Sequence, residues 1–253
     1  ADAPAWLADM RRYRAGCLAS LQLNGSAFDT LPWARTAYMQ PLAMPFDRFM
    51  WNETTHEYTT HKYLDSLREQ YGGIDSVLLW PTYTNIGADD RNQFELIEAL
   101  PGGIAGLKGF VDELHAAGVH ALWPYNPWDQ GTHDGSFNIT AAAAHDATRL
   151  ASLLVRTGAD GFFGDTISSE GLAEFYADSV AAGHPAAIQP ESGGRVDGLN
   201  FTVFGWGYWD WGQAVPPVDL LKWLEPRFLT QACNRWMVDK TAMLQLAFFN
   251  GDG

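Results

Sequence analysis

From about residue 104 the chain falls into a repeated rhythm of helix, glycine and strand, and few folds are compatible with that rhythm. Ile104, Leu107, Phe110, Val111 and Leu114 recur at helical spacing, Gly118 stands where a left-handed C-terminal residue belongs, and Val119 to Trp123 follows as an apolar run. Thr140 then opens an alanine-rich helix with Leu150, Leu153 and Leu154 on one side, Gly158 ends it, and residues 159–164 read as the next strand. A third copy has Leu172, Phe175, Tyr176 and Val180 on its apolar side, Gly183 as its stop, and a short strand at 186–189. Strands alternating with helices imply parallel pairing through right-handed crossovers.

Extending the rhythm predicts eight strands, near 48–51, 74–80, 119–125, 160–165, 186–191, 200–205, 227–231 and 244–249. Eight such units in 253 residues give an α/β chain folded as a TIM (β/α)8 barrel over 46–253, preceded by an N-terminal helix and connector over 1–45. A doubly wound sheet is the competing arrangement, but it calls for a glycine-rich phosphate loop after an early strand, and no G-x-G-x-x-G stands there. Residues 248–251 read as the end of the eighth strand with no closing helix behind it. Either further chain or residues 1–45 would supply that cover.

Composition narrows the partners. A balance of 16 basic against 30 acidic residues leaves a net charge of −14, which argues against nucleic acid and anionic membranes. No stretch approaches the roughly 18 apolar residues of a membrane span. The chain opens Ala1-Asp2-Ala3-Pro4 without Met, which fits a mature chain freed of its signal peptide and equally a trimmed one. Asn24, Asn52, Asn138 and Asn200 head Asn-x-Ser/Thr acceptors where chance gives about one, so a secreted glycoprotein is expected. Cys17 and Cys233 form either one bridge or two free thiols.

The 11 Trp are the surplus to explain. In a barrel the active site lies at the C-terminal ends of the strands, and those ends are not apolar here. They carry Trp51 and Asn52; Trp80 and Tyr83; Trp123, Asn126, Trp128 and Asp129; Asp165; Glu191; and Trp206, Trp209 and Asp210. Indole and phenol rings stack on the C–H faces of sugars while amides and carboxylates bond hydroxyls, so this face is expected to bind a carbohydrate. Asp165 closes an apolar strand and is the candidate nucleophile. Glu191, one strand away, is the candidate acid/base of a retaining pair, with Asp210 as its rival.

The stretch Ala159-Asp160-Gly161-Phe162-Phe163-Gly164-Asp165 resembles the fourth-strand motif G-x-D-G-F-R-x-D of α-amylase-type retaining glycoside hydrolases. The resemblance implies Asp165 as nucleophile and Glu191 as acid/base. Phe163 departs from it, standing where that family has an arginine, and leaves room for the α-galactosidase-like clan, whose acid/base comes from strand 6; Asp210 would then serve. Either way the implied reaction is a double displacement on an O-glycosidic bond without a cofactor. Two other readings compete: a non-catalytic carbohydrate-binding barrel, and a metal-dependent hydrolase. The seven histidines are scattered, with His115 and His145 on helices, and no H-E-x-x-H occurs, so no metal site is expected.

Overall fold

The computed structural model describes residues 3–83, 89–129, 139–168, 171–191, 194–207, 220–232 and 241–253. Strands β1 (Leu42–Ala43), β4 (Ser76–Leu79), β5 (His120–Tyr125), β6 (Gly161–Gly164) and β7 (Ala187–Pro190) form a parallel sheet in that order. Strands β8 (Phe204–Gly207) and β9 (Leu229–Ala232) form a second parallel pair beside β7. Spatial order follows chain order without reversal, so the sheet has no switch point of the doubly wound kind. Helices α3 (Thr60–Tyr71), α4 (Gln93–Glu98), α5 (Gly103–Ala116), α6 (Ile139–Thr157) and α7 (Leu172–Ala181) alternate with these strands.

The glycine stops behave as their positions in the sequence dictate. Gly118, Gly158 and Gly183 have φ of 78°, 78° and 73°, the left-handed region in which a Cβ is strained. Gly161 meets a different demand. A Cβ there would stand 1.9 Å from the Ala187 carbonyl oxygen, so β6 and β7 can lie at this spacing and register only with glycine.

Strand residues alternate between two cores. Val77, Leu79, Ala121, Trp123, Tyr125, Phe162 and Ile188 face the helices and pack on Leu107, Phe110, Leu114, Leu150 and Leu154. Leu78, Leu122, Phe163 and Ala187 face inward, where they meet Phe204 and Leu229 of the second pair, so both sheets enclose one interior. The N-terminal end of that interior is filled from residues before β1. Ala27 and Phe28 of α2 (Ser26–Thr30), Leu31, and Ala34 in the 3₁₀ turn Pro32–Thr36 are all buried there. Helix α1 (Ala3–Leu21) fully buries none of its residues but packs Cys17, Leu18 and Leu21 on the edge of this core, and its Arg14 donates to the Trp223 and Leu224 carbonyls of α8 (Leu220–Leu224).

Three expected strands are corrected. The first strand is Leu42–Ala43, while Trp51–Asn52 (β2) pairs antiparallel with Glu57–Tyr58 (β3) in a hairpin of the following loop. A two-residue strand between Pro41 and Pro45 has no periodicity to read. The stretch expected as an eighth strand, 244–249, is helix α9 (Thr241–Asn250), closed by Gly251 at φ 68°. An apolar run of that length without alternation suits either state. Beyond it, Gly253 exchanges backbone hydrogen bonds with Thr230 and Ala232 at 2.9 and 2.7 Å and lies against Tyr38, beside β9. The strand expected at 200–205 begins later, at Phe204, after a 3₁₀ turn over Val196–Gly198. No described helix is long and apolar enough to cross a membrane.

Candidate active site

Asp165 and Glu191 follow β6 and β7 directly, at the C-terminal ends of neighbouring parallel strands. Each is pinned by a cross-strand bond: the Asp165 N–H donates to the Tyr125 carbonyl at 2.8 Å and the Glu191 N–H to the Gly164 carbonyl at 3.0 Å. The Glu191 carboxyl stands close enough to Asp165 to raise the affinity of Asp165 for a proton. Asp165 Oδ2 also accepts from the Tyr83 hydroxyl and from Asn126 Nδ2, the latter at 3.0 Å. Glu191 Oε2 accepts the Thr166 N–H at 2.7 Å. Thr166 and Thr82, next to Asp165 and Tyr83, adopt φ of 59° and 77°. Left-handed backbone at a β-branched residue costs of order 1–3 kcal/mol, and it turns the Thr166 N–H onto Glu191.

Asp165 is only 9% exposed. Its burial, and then its hydrogen bond and charge contact with Glu191, push its carboxyl up to about 6, while Tyr83 and Asn126 restrain the rise by donating to the ionised form. Tyr83 moves above the ordinary phenol range, first by burial and then by the Asp165 carboxylate beside it, so its hydroxyl stays protonated and donates.

An aromatic row runs from the interior to the surface past this pair. Trp206 lies 4.2 Å from Phe163, Phe163 5.6 Å from Trp80, Trp80 5.1 Å from Tyr83, and Tyr83 5.1 Å from Trp128, between ring centroids. Trp128 is 38% exposed and forms the open end. Phe163, at the position of the family arginine, is fully buried in this row. The donors described on Asp165 are therefore uncharged.

The structure thus brings together Asp165, Glu191, Tyr83, Asn126, Trp80, Trp128 and Trp206. Other candidates lie elsewhere. Trp123 faces the helices, fully buried, and its Nε1 donates to Thr157 Oγ1 at 3.1 Å. It sits one residue out of phase with the inward Leu122, and alternation sends it away from the mouth. Trp51 is buried against Tyr58, 5.0 Å away, in the β2–β3 hairpin. Asn52 caps its turn, accepting from the Thr54 and Thr55 N–H groups. Asp129, by contrast, is fully buried on the same loop as Asn126 and Trp128, and its N–H donates to the Asn126 carbonyl at 3.2 Å. Trp209 and Asp210 lie outside the described residues, as does Cys233; Cys17 is half-buried on α1.

Gln93 was not legible as a site residue. Its Oε1 accepts the Asn126 N–H at 2.9 Å, and its Nε2 donates to the Asn126 and Asp129 carbonyls at 2.7 and 3.2 Å, fixing the loop that presents Asn126 to Asp165. The one local signal is the capping box at Asn92 and Glu95, which starts α4 at this place.

No family model matches the chain, and no curated protein matches it. Solved structures do. An α-amylase from Anoxybacillus superposes with a TM-score of 0.54 at 13% identity, over 87% of this chain and 66% of that one. An α-amylase from Geobacillus thermoleovorans complexed with acarbose gives 0.45 at 15% identity over 63% and 47%, and a cyclomaltodextrinase gives 0.43 at 15% over 63% and 39%. The chain spans less than two thirds of the length of each. Its structural neighbours are α-amylase-type glycoside hydrolases, and the parallel α/β fold is the one it shares with the Anoxybacillus enzyme.

Proposed function

We propose that the protein hydrolyses an O-glycosidic bond by retaining double displacement, with Asp165 as nucleophile and Glu191 as acid/base. The observation that carries this reading is the placement of Asp165 and Glu191 at the C-terminal ends of two paired parallel strands, beside an aromatic row that opens at Trp128. In the first step Asp165 forms a bond to the anomeric carbon as Glu191 gives its proton to the departing oxygen. In the second, Glu191 takes a proton from water, whose oxygen displaces Asp165. Tyr83 and Asn126 hold Asp165 toward the incoming carbon, in the place of a cationic partner. Trp128 offers a sugar-stacking face, with Trp80 behind Tyr83. We infer a barrel-like arrangement from the same observations: seven described parallel strands in two sheets around one interior, with Gly253 beside β9.

An α-linked glucan is the first substrate to test, because the Anoxybacillus neighbour is an α-amylase. Maltooligosaccharides and a panel of aryl α- and β-glycosides should include one that the protein cleaves with retained configuration, read by NMR of the first-formed anomer. Asp165→Asn and Glu191→Gln should each remove at least about 10³-fold of kcat/KM. Binding of the panel without cleavage would instead support the non-catalytic carbohydrate-binding barrel.

A further inference from the structure

At the opposite end of β6, five residues before Asp165 and so roughly 16 Å away along the strand, three side chains converge that the proposed hydrolysis does not use. His115 comes from the last turn of α5, His120 opens β5, and Asp160 immediately precedes β6. One ligand-type atom from each falls within 4.8 Å of the others. His115 Nε2 lies 2.8 Å from Asp160 Oδ2, and His120 Nδ1 lies 2.8 Å from Asp160 Oδ1. The histidines that look scattered in the sequence are thus gathered by the fold.

We propose that His115, His120 and Asp160 form a binding site for a zinc-class divalent cation. Two imidazole nitrogens and one carboxylate oxygen are a donor set that zinc takes at about 2.0–2.2 Å, with water as fourth ligand. The frame is rigid on two sides. The His120 ring is stacked on Trp33 at 3.9 Å with an interplanar angle of 9°, and the Asp160 backbone is bonded to both neighbouring strands, to the Ala121 carbonyl at 2.8 Å and from the Ala187 N–H at 2.9 Å. The Ala121 N–H donates to Asp160 Oδ2 at 2.8 Å, fixing the carboxylate as well. His115 is the solvent-facing member and gives the entry path. The cation would replace the two His–Asp hydrogen bonds with coordinate bonds and tie α5 and β5 to the start of β6. Because Trp33 belongs to the turn that closes the N-terminal end of the interior, the same cation would secure that closure.

The test needs no glycosidase activity. The full chain, freed of metal with chelator, is titrated with Zn(II) by calorimetry and with Co(II) by visible absorption. The proposal expects one equivalent of zinc per chain with Kd of order 10 μM or tighter, the intense d–d bands of four-coordinate Co(II), and a melting temperature raised by several degrees. His115→Ala, a change on the surface that leaves the fold intact, should weaken zinc at least about 10-fold, and Asp160→Asn should do the same. His61→Ala on α3 should not. Absence of stoichiometric uptake, or uptake unchanged in His115→Ala, overturns the site and leaves a hydrogen-bonded His–Asp–His clasp.

Discussion

At the residue scale Asp165 is unusual because burial and the neighbouring Glu191 hold its proton more tightly than an ordinary carboxyl's. Its folded pKa of about 6 lies above the ordinary 3.8, so the folded protein binds this proton more tightly than the unfolded chain does. The sign follows: the burial of Asp165 costs nothing below about pH 4, and an ionisation penalty grows as pH rises through 4 to 6. Asp165→Asn is therefore expected to be more stable than the parent at pH 7, by up to about 3 kcal/mol, and close to it at pH 4, by urea unfolding at both values. An inactive variant that is also more stable is the signature of a residue kept for function. If Asp165 is the nucleophile proposed above, the same pKa predicts an acid limb of kcat/KM near pH 6, where it becomes protonated. Tyr83→Phe removes a donor that favours the ionised form, so that limb should move to higher pH while kcat/KM falls about 10- to 100-fold. A limb that stays put would show that Tyr83 does not act on Asp165.

The two carboxylates are legible in the sequence because each ends an apolar strand, and their placement on neighbouring strand ends follows from the β6–β7 pairing. Trp123 was misplaced for a physical reason: a strand-end indole reads the same whichever way the pleat sends it, and only the register with Phe162 decides that it faces α5 and α6. Gln93 was illegible because a glutamine at a helix start carries no chemical signal until the fold sets it against Asn126. His115, His120 and Asp160 are close for the same reason, since their meeting depends on the β5–β6 register.

At the element scale the β6–β7 seam should be the most sequence-sensitive joint. Gly161→Ala places a methyl group 1.9 Å from the Ala187 carbonyl oxygen, where backbone must move, so a loss of about 3 kcal/mol or more is expected from denaturant unfolding. The aromatic elements should divide by face. Trp128→Ala is expected to raise KM about 10-fold and to change stability by no more than about 0.5 kcal/mol, because its ring is open to solvent. Trp123→Phe, which loses the Thr157 bond and leaves space in the outer core, should cost about 1–3 kcal/mol and leave KM unchanged. The helix–glycine–strand units 104–191 could be read from periodicity and stops. The elements that were missed, β1 and α9, are respectively two residues long and apolar without a period, so neither carries a pattern that sequence can express.

At the scale of the whole molecule, two sheets enclose one interior whose N-terminal end is stopped by residues 26–37 and whose C-terminal end presents the carboxyl pair. Within a chain of net charge −14 this end holds a carboxylate that resists ionisation: interior packing desolvates Asp165, and the neighbouring Glu191 raises its affinity for a proton further. The same enclosure ranks the N-terminal segments. Removing residues 1–21 takes the half-buried Leu18 and Leu21 off the edge of the core and should lower stability while unfolding stays cooperative, whereas removing 1–37 also takes out Phe28, Leu31 and Ala34 and should abolish cooperative unfolding in calorimetry.

The central claim, that Asp165 bonds covalently to the anomeric carbon, is tested most directly by trapping the intermediate with a fluorinated α-glucosyl fluoride and locating the added mass by peptide sequencing. A single adduct on Asp165, absent in Asp165→Asn, is the predicted result. Hydrolysis that proceeds with no adduct, or an adduct on another carboxylate such as Asp210, would contradict it.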